Sequence, residues 1–157
     1  MKRLQTHSDA WVENAPERCV AEREINATPT AIWDVLADHE SWPEWFTAVK
    51  DVTVTGAASG VGARRRVRIP GVEFHEEFVA WDVGKRFAFT VTEMSVGLFE
   101  SLNERVTIDT LDGGRSRVTY TQALEPVGWF RLPFKAVKGL FARSLGKGLD
   151  SLARRVE

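Results

Sequence analysis

The feature that most constrains this chain lies at its C-terminal end. From Arg131 onward, Val137, Phe141, Leu145, Leu149, Leu152 and Val156 recur three or four residues apart, which draws one apolar stripe along a long helix. Pro133 suits an early turn of that helix, where a missing N–H does little harm. Gly139, Gly146 and Gly148 interrupt it; each weakens a helix by about 1 kcal/mol relative to alanine, so close packing or a bend is expected there. A stripe of this length stays dry only against a second layer.

Strands supply that layer. Cys19–Ile25 (CVAEREI) alternates apolar and charged residues, the period of a half-exposed strand. A helix then opens at Thr28-Pro29 and turns Ile32, Trp33, Val35 and Leu36 to one side, with Thr28 as its cap and Pro29 at the first helical position. His39–Val49 (HESWPEWFTAV) offers Ser41 as a second cap and Pro43 in the first turn of a short helix through Phe46. From Val49 the period is two. Strand patterns end at Pro70-Gly71, at Val83-Gly84-Lys85 and at Asp112–Arg115 (DGGR), giving about seven strands in hairpin succession and therefore an antiparallel sheet. Residues 1–18 are polar and aperiodic, which reads as a loosely ordered tail on which Trp11 and Val12 could dock.

One strand, two short helices, six strands and a long helix leave few arrangements. One helix cannot cover about seven twisted strands unless the sheet curls around it. That curl leaves apolar interior space between helix and sheet, a natural ligand site. Which face of residues 72–82 looks inward depends on the turn at Asp82–Arg86. If Asp82 pairs Arg86, Val79 and Trp81 join Phe87, Phe89 and Val91, and His75 and Glu77 follow them inward. If Asp82 pairs Phe87, Phe78 and Ala80 take that face and Glu76 lines the interior. A slip of one residue reverses the answer.

Composition narrows the partners. The chain has 157 residues, a formal charge of −1 and a single cysteine, Cys19. Near-neutral charge gives no electrostatic reason to expect nucleic acid. One cysteine excludes an internal disulfide, and the dispersed histidines suggest no metal site; no cofactor is expected. Cys19 reads as a small buried apolar residue. The first residues lack the apolar run of a signal or a membrane span, so a cytoplasmic protein is expected. Charge is unevenly spread: residues 128–157 hold seven basic side chains against Asp150 and Glu157. This basic helix reads as a solvated face, with at most a transient membrane contact.

The motifs INATPTAIWDVLAD (25–38), WPEW (42–45), GVGARRRV (60–67), WDVGKRFAF (81–89) and GGRSRVTYT (113–121), followed by the terminal helix, resemble the START-like (SRPBCC) superfamily. Within it they look most like the bacterial polyketide cyclase/dehydrase and lipid transport group. The resemblance covers residues 19–157 and implies the α+β helix-grip fold, a curved antiparallel sheet wrapped around the C-terminal helix. The superfamily holds lipid carriers, cyclases, hydrolases and regulatory modules, so fold alone does not assign a function.

Candidate chemistry is sparse. His75 and Glu77 share one strand face and could act as acid and base if they face the cavity; otherwise they are an exposed polar edge. Glu104 alternates with Leu102, Val106 and Ile108, and Tyr120 with Val118, so both could project inward as a structural bond or a ligand anchor. Arg64-Arg65-Arg66 reads as a solvated sheet face, with an anion site as the other reading. Trp45, Phe46, Val67, Phe78, Trp81, Phe87, Phe89, Val106, Tyr120, Val137, Phe141 and Leu145 are the expected cavity residues.

Three functional classes fit. A carrier of a hydrophobic small molecule needs an apolar cavity and few fixed polar groups. A cyclase or dehydratase needs His75, Glu77, Glu104 or Tyr120 to converge there. A regulatory module, with a possible homodimer, would use the aromatic-rich junction and the basic helix as an interface. The first agrees best with the visible residues. Trp45 and Phe46 are expected at the cavity mouth, with Trp45 as a gate, and Trp33 in the core.

Overall fold

In a computed structural model describing residues 1–157, the longest helix, α3 (Arg131–Val156), lies in the grip of a curved antiparallel sheet. The other elements are β1 (Lys2–Arg3), β2 (Glu17–Ile25), α1 (Pro29–Ala37), α2 (Trp42–Trp45), β3 (Asp51–Val54), β4 (Arg64–Ile69), β5 (Val72–Asp82), β6 (Arg86–Met94), β7 (Phe99–Thr110) and β8 (Ser116–Pro126). The spatial order is β2-β8-β7-β6-β5-β4-β3. All neighbours from β3 to β8 are hairpin partners, while β2 and β3 sit at opposite edges. The stretch holding α1 and α2 carries the chain between those edges.

Local chemistry accounts for the boundaries. The Thr28 hydroxyl accepts from the Ala31 N–H at 3.3 Å and Pro29 opens α1. Ser41 does not cap α2; its hydroxyl donates to the Asp38 carbonyl at 2.8 Å and closes the preceding turn instead. The DGGR turn bends at Gly113 and Gly114, with φ of +72° and +73°, a region that glycine occupies without steric cost.

The register between β5 and β6 resolves the facing of residues 72–82 by a bulge. Asp82 pairs Arg86 and Trp81 pairs Phe87, yet Phe78 pairs Phe89, so Val79 is an extra residue. The Asp82–Arg86 register therefore holds on the turn side of Val79, and beyond it the pairing shifts by one residue, giving the facing expected for the Asp82–Phe87 alternative but not its pairs. A bulge reverses the parity of a strand, so Trp81 and Phe78 both point inward, packing edge-on with ring centroids 5.3 Å apart. A second irregularity lies between His75 and Glu76, opposite Thr92. Glu76 then faces the interior, and His75 and Glu77 face out.

The N-terminal residues are not a loose tail. β6 and β7 stay paired only from Arg86↔Thr107 to Thr90↔Asn103. Into the gap beyond, β1 adds to β6 opposite Met94 and Glu93, and the Gln5 N–H donates to the Glu100 carbonyl of β7 at 2.8 Å. A short 3-10 turn, Asp9–Glu13, then lies over the outer face, where Asp9 and Glu13 engage Arg105 and Val12 is buried. Asn103 donates to the carbonyls of His7 and Ser8, and the Thr90 hydroxyl donates to Asn103. Those partners satisfy polar groups on the outer face of the central strands, which explains how Thr90, Ser101 and Asn103 can be buried. An aperiodic polar stretch gives no sign of this, because its partners lie roughly 80 to 100 residues away.

Only one of the three glycines flagged in α3 is a close contact. A Cβ on Gly148 would lie 2.6 Å from the ring of Phe46, whereas Gly139 and Gly146 have nothing within 4 Å. Gly148→Val is expected to destabilise the fold by about 1–3 kcal/mol through overpacking, while Gly146→Ala adds up to about 1 kcal/mol of helix stability. Urea unfolding of the two variants checks the contrast, and equal effects would remove Phe46 as the reason for Gly148.

Candidate functional site

Between the sheet and α3 lies a cavity of about 370 Å³ with 23 lining residues, 18 of them hydrophobic. Its wall is layered. Ile69, Val72, Val96, Leu98 and the exposed Leu140 form the outer rim, where the turns β4–β5 and β6–β7 meet α3. Val67, Phe74, Met94, Phe99 and Leu102 lie deeper, with Phe141 and Leu145 from α3 opposite. One step further along the strands, Arg65, Glu76, Glu104 and Gln122 bring charge and hydrogen-bonding groups to the floor. Beneath the floor, Phe78, Phe87, Trp81 and Trp33 pack with centroids 5.2–6.2 Å apart and close the fold.

Arg65 organises the floor. It is 2% exposed, and its guanidinium carbon lies 4.3 Å from the Trp42 ring centroid, 4.9 Å from Phe89 and 5.2 Å from Phe78. Aromatic faces partly replace the water this cation has lost. Its Nε donates to Glu76 Oε2 at 2.6 Å and its Nη1 meets His39 Nδ1 at 3.1 Å. Burial and the adjacent Arg65 charge lower the His39 pKa to about 4, so near neutral pH the ring is uncharged and Nδ1 can accept. Burial raises Glu76 to about 7 despite the opposing pull of Arg65. Trp42 is held for stacking by its indole N–H, which donates to the Leu36 carbonyl at 3.0 Å.

Glu104 and Tyr120 form the second polar pair. The Tyr120 hydroxyl donates to Glu104 Oε2, and Gln122 Nε2 donates to Oε1 at 2.7 Å. Burial lifts the pKa of Glu104 above the usual carboxylate range and pushes Tyr120 well above its ordinary value. Both carboxyls at the floor are therefore able to go neutral, whereas an arginine keeps its charge at any physiological pH.

The expected site residues fall into three groups. Phe46, Val67, Phe89, Tyr120, Phe141, Leu145 and Glu104 line the cavity. Trp45, Phe78, Trp81, Phe87 and Val106 are buried or half-buried but outside the lining, and Val137 packs on the core's edge. His75 and Glu77 are on the outer face, His75 2.9 Å from Glu73 and Glu77 2.9 Å from Arg64. Sequence pattern places Arg65, His39 and Trp42 on a solvated face, in a turn and at a helix start; the structure gathers all three at the floor. For Arg65 the signal is present, since it shares parity with Val67 and Ile69. Burying an arginine inward is so uncommon that parity alone does not suggest it.

The profile of the family described as polyketide cyclase/dehydrase and lipid transport matches residues 17–157. The chain belongs to this family. An uncharacterized protein of Mycobacterium tuberculosis (strain ATCC 25618 / H37Rv) is 30% identical over 147 residues, covering 92% of this chain and 87% of that one. The same values hold for an uncharacterized protein of Mycobacterium bovis. Among solved structures, a START superfamily protein from Mycobacterium smegmatis has a TM-score of 0.74 at 18% identity, covering 88% of this chain and 96% of its own. TTHA0849 from Thermus thermophilus also gives 0.74, at 24% identity, covering 89% and 97%. These likenesses establish the START fold.

Within this family member, the charged floor makes stability depend on pH. Glu76 has a native pKa above its usual 4.5, so the folded state holds the proton more tightly. Its contribution is full below pH 4.5 and is lost as pH rises through about 7. His39 has the opposite sign: its native pKa of about 4 lies below the usual 6.5, so stability rises with pH across that window. The two offset each other between pH 4.5 and 6.5. Relative to the parent, Glu76→Gln is expected to gain on the order of 1–3 kcal/mol between pH 4.5 and pH 8. Urea unfolding at both pH values measures this; a pH-independent difference would mean that Glu76 is solvated.

Proposed function

We propose that the protein binds a hydrophobic small molecule with a polar end, such as a lipid, isoprenoid or polyketide-like compound, in the cavity between sheet and α3. The observation that carries this reading is the layering of the cavity, with an apolar rim and wall above a floor of Arg65, Glu76, Glu104 and Gln122. Its volume of about 370 Å³ lies within the range of small-molecule sites. Family membership agrees with it, since the family description includes lipid transport.

A chemical reading is favoured by one feature only. Glu76, with a pKa of about 7, is poised to give or take a proton near neutrality, the property a cyclase or dehydratase would need. His75 and Glu77 do not share in it, because they face away from the cavity.

Native mass spectrometry of the protein purified from its own host tests binding, with a copurifying small molecule as the expected result. Val67→Trp, which fills the middle of the cavity, is expected to abolish that adduct while the fold persists. Retention of the adduct would place the ligand elsewhere.

The rim also suggests how a ligand arrives. Trp129, Leu132 and Leu140 are 69%, 78% and 62% exposed, and no acidic residue stands between Glu125 and Asp150. Arg131, Lys135, Arg143 and Lys147 make no ion pair within the chain, unlike Lys138, which pairs Glu17 at 2.6 Å. Apolar tips among unpaired cations suit transient contact with an anionic lipid surface. Cosedimentation with phosphatidylglycerol vesicles is expected at low salt, falling with added salt and in the Lys135→Glu/Arg143→Glu double variant. Equal binding to phosphatidylcholine would exclude this route.

A further inference from the structure

We infer that the cavity selects ligands with an acidic head, a carboxylate above all, seated against the Arg65 guanidinium. The inference rests on the cavity being a ligand site and names the class of compound it prefers.

Three observations carry it. First, Arg65 lines the cavity while almost wholly buried, and its partners in the chain engage only Nε and Nη1. Nη2 has no hydrogen-bond partner within the chain, so its donors are free to meet a ligand in the cavity. Planar bidentate acceptance by a carboxylate is the arrangement that suits them. Second, most carboxylate acceptors nearby are already committed, Gln122 Oε1 being a buried acceptor left without a partner. Both oxygens of Glu104 are taken, by Tyr120 and Gln122, and the Glu76 oxygen nearest the cation already accepts from Arg65. Third, three aromatic rings lie 4.3–5.2 Å from the guanidinium carbon, and Arg65 still lines the cavity.

The charge account also closes. The titratable and charged groups facing this point are Arg65 from β4, Glu76 from β5, Glu104 from β7, Tyr120 from β8 and His39 from the turn before α2. Of these, Arg65 alone cannot discharge. In the absence of a ligand, Glu76 serves as its counter-ion above about pH 7 and is protonated below it. When a ligand carboxylate arrives above that pH, Glu76 takes up one proton from solvent and the ligand assumes the ion pair. Binding is therefore coupled to proton uptake, and affinity falls as pH rises past the point where Glu76 ionises.

Displacement of the neutral fluorophore N-phenyl-1-naphthylamine by dodecanoic acid, dodecanol and dodecylamine tests this between pH 6 and 8.5. The acid is expected to compete at least tenfold better than the other two at pH 6, with its advantage shrinking toward pH 8.5. Glu76→Gln keeps the preference and removes its pH dependence, and Arg65→Met abolishes the preference while the fluorophore still binds. If Arg65→Met does not fold, the pH dependence in the parent and its loss in Glu76→Gln decide the matter. Equal affinities for acid and alcohol, with the fluorophore bound, would overturn the acidic-head inference and leave the hydrophobic site standing. Failure of the fluorophore and all three compounds to bind would overturn both.

Discussion

A single buried cation sets the terms for the interior of this protein. Arg65 cannot lose its charge, so its surroundings must supply what water would have given. Trp42, Phe78 and Phe89 supply aromatic faces, Glu76 a carboxylate and His39 a neutral acceptor. Those partners come from β5, β6, α2 and the turn before it. The charge therefore ties the opening of the short helices to the middle of the sheet. Removing one partner of such a pair leaves an uncompensated charge and costs about 3–5 kcal/mol, so the cluster is also a strong constraint on the fold.

The same constraint divides the interior in two. Below Arg65 the aromatic rings of Phe78, Phe87, Trp81 and Trp33 interlock and leave no lining residue to the cavity. Above it, apolar side chains from β4 to β8 and from α3 stand back from each other. The Val79 bulge makes the division possible. Without it, Trp81 and Phe78 could not both point inward, and either the plug or the floor would lose its residues. The N-terminal strand completes the wall by filling the gap where β6 and β7 separate.

Much of this was legible in the sequence. The apolar stripe of α3, the hairpin turns and the Thr28-Pro29 helix start are local patterns, and they carry the architecture. Half of the expected cavity residues do line it, among them Phe46, Val67 and Phe141. Trp45 does not; it packs between Trp42 and Phe46, with centroids 5.0 and 5.6 Å away. What sequence could not show is non-local. A bulge changes parity without leaving a composition signal, a polar N-terminal stretch finds partners on distant strands, and an inward arginine looks like its two solvated neighbours. Each depends on which strand lies alongside, information that a one-dimensional pattern does not contain.

The claim at the centre of this account is that Glu76 is buried beside Arg65 at the cavity floor and ionises only near neutral pH. The most direct measurement is a carbon-13 NMR titration of the side-chain carboxyls in the ligand-free protein. The account predicts that the Glu76 carboxyl titrates near pH 7, far from the solvated glutamates. A Glu76 midpoint close to its ordinary value of 4.5 would contradict it and return Arg65 to a solvated strand.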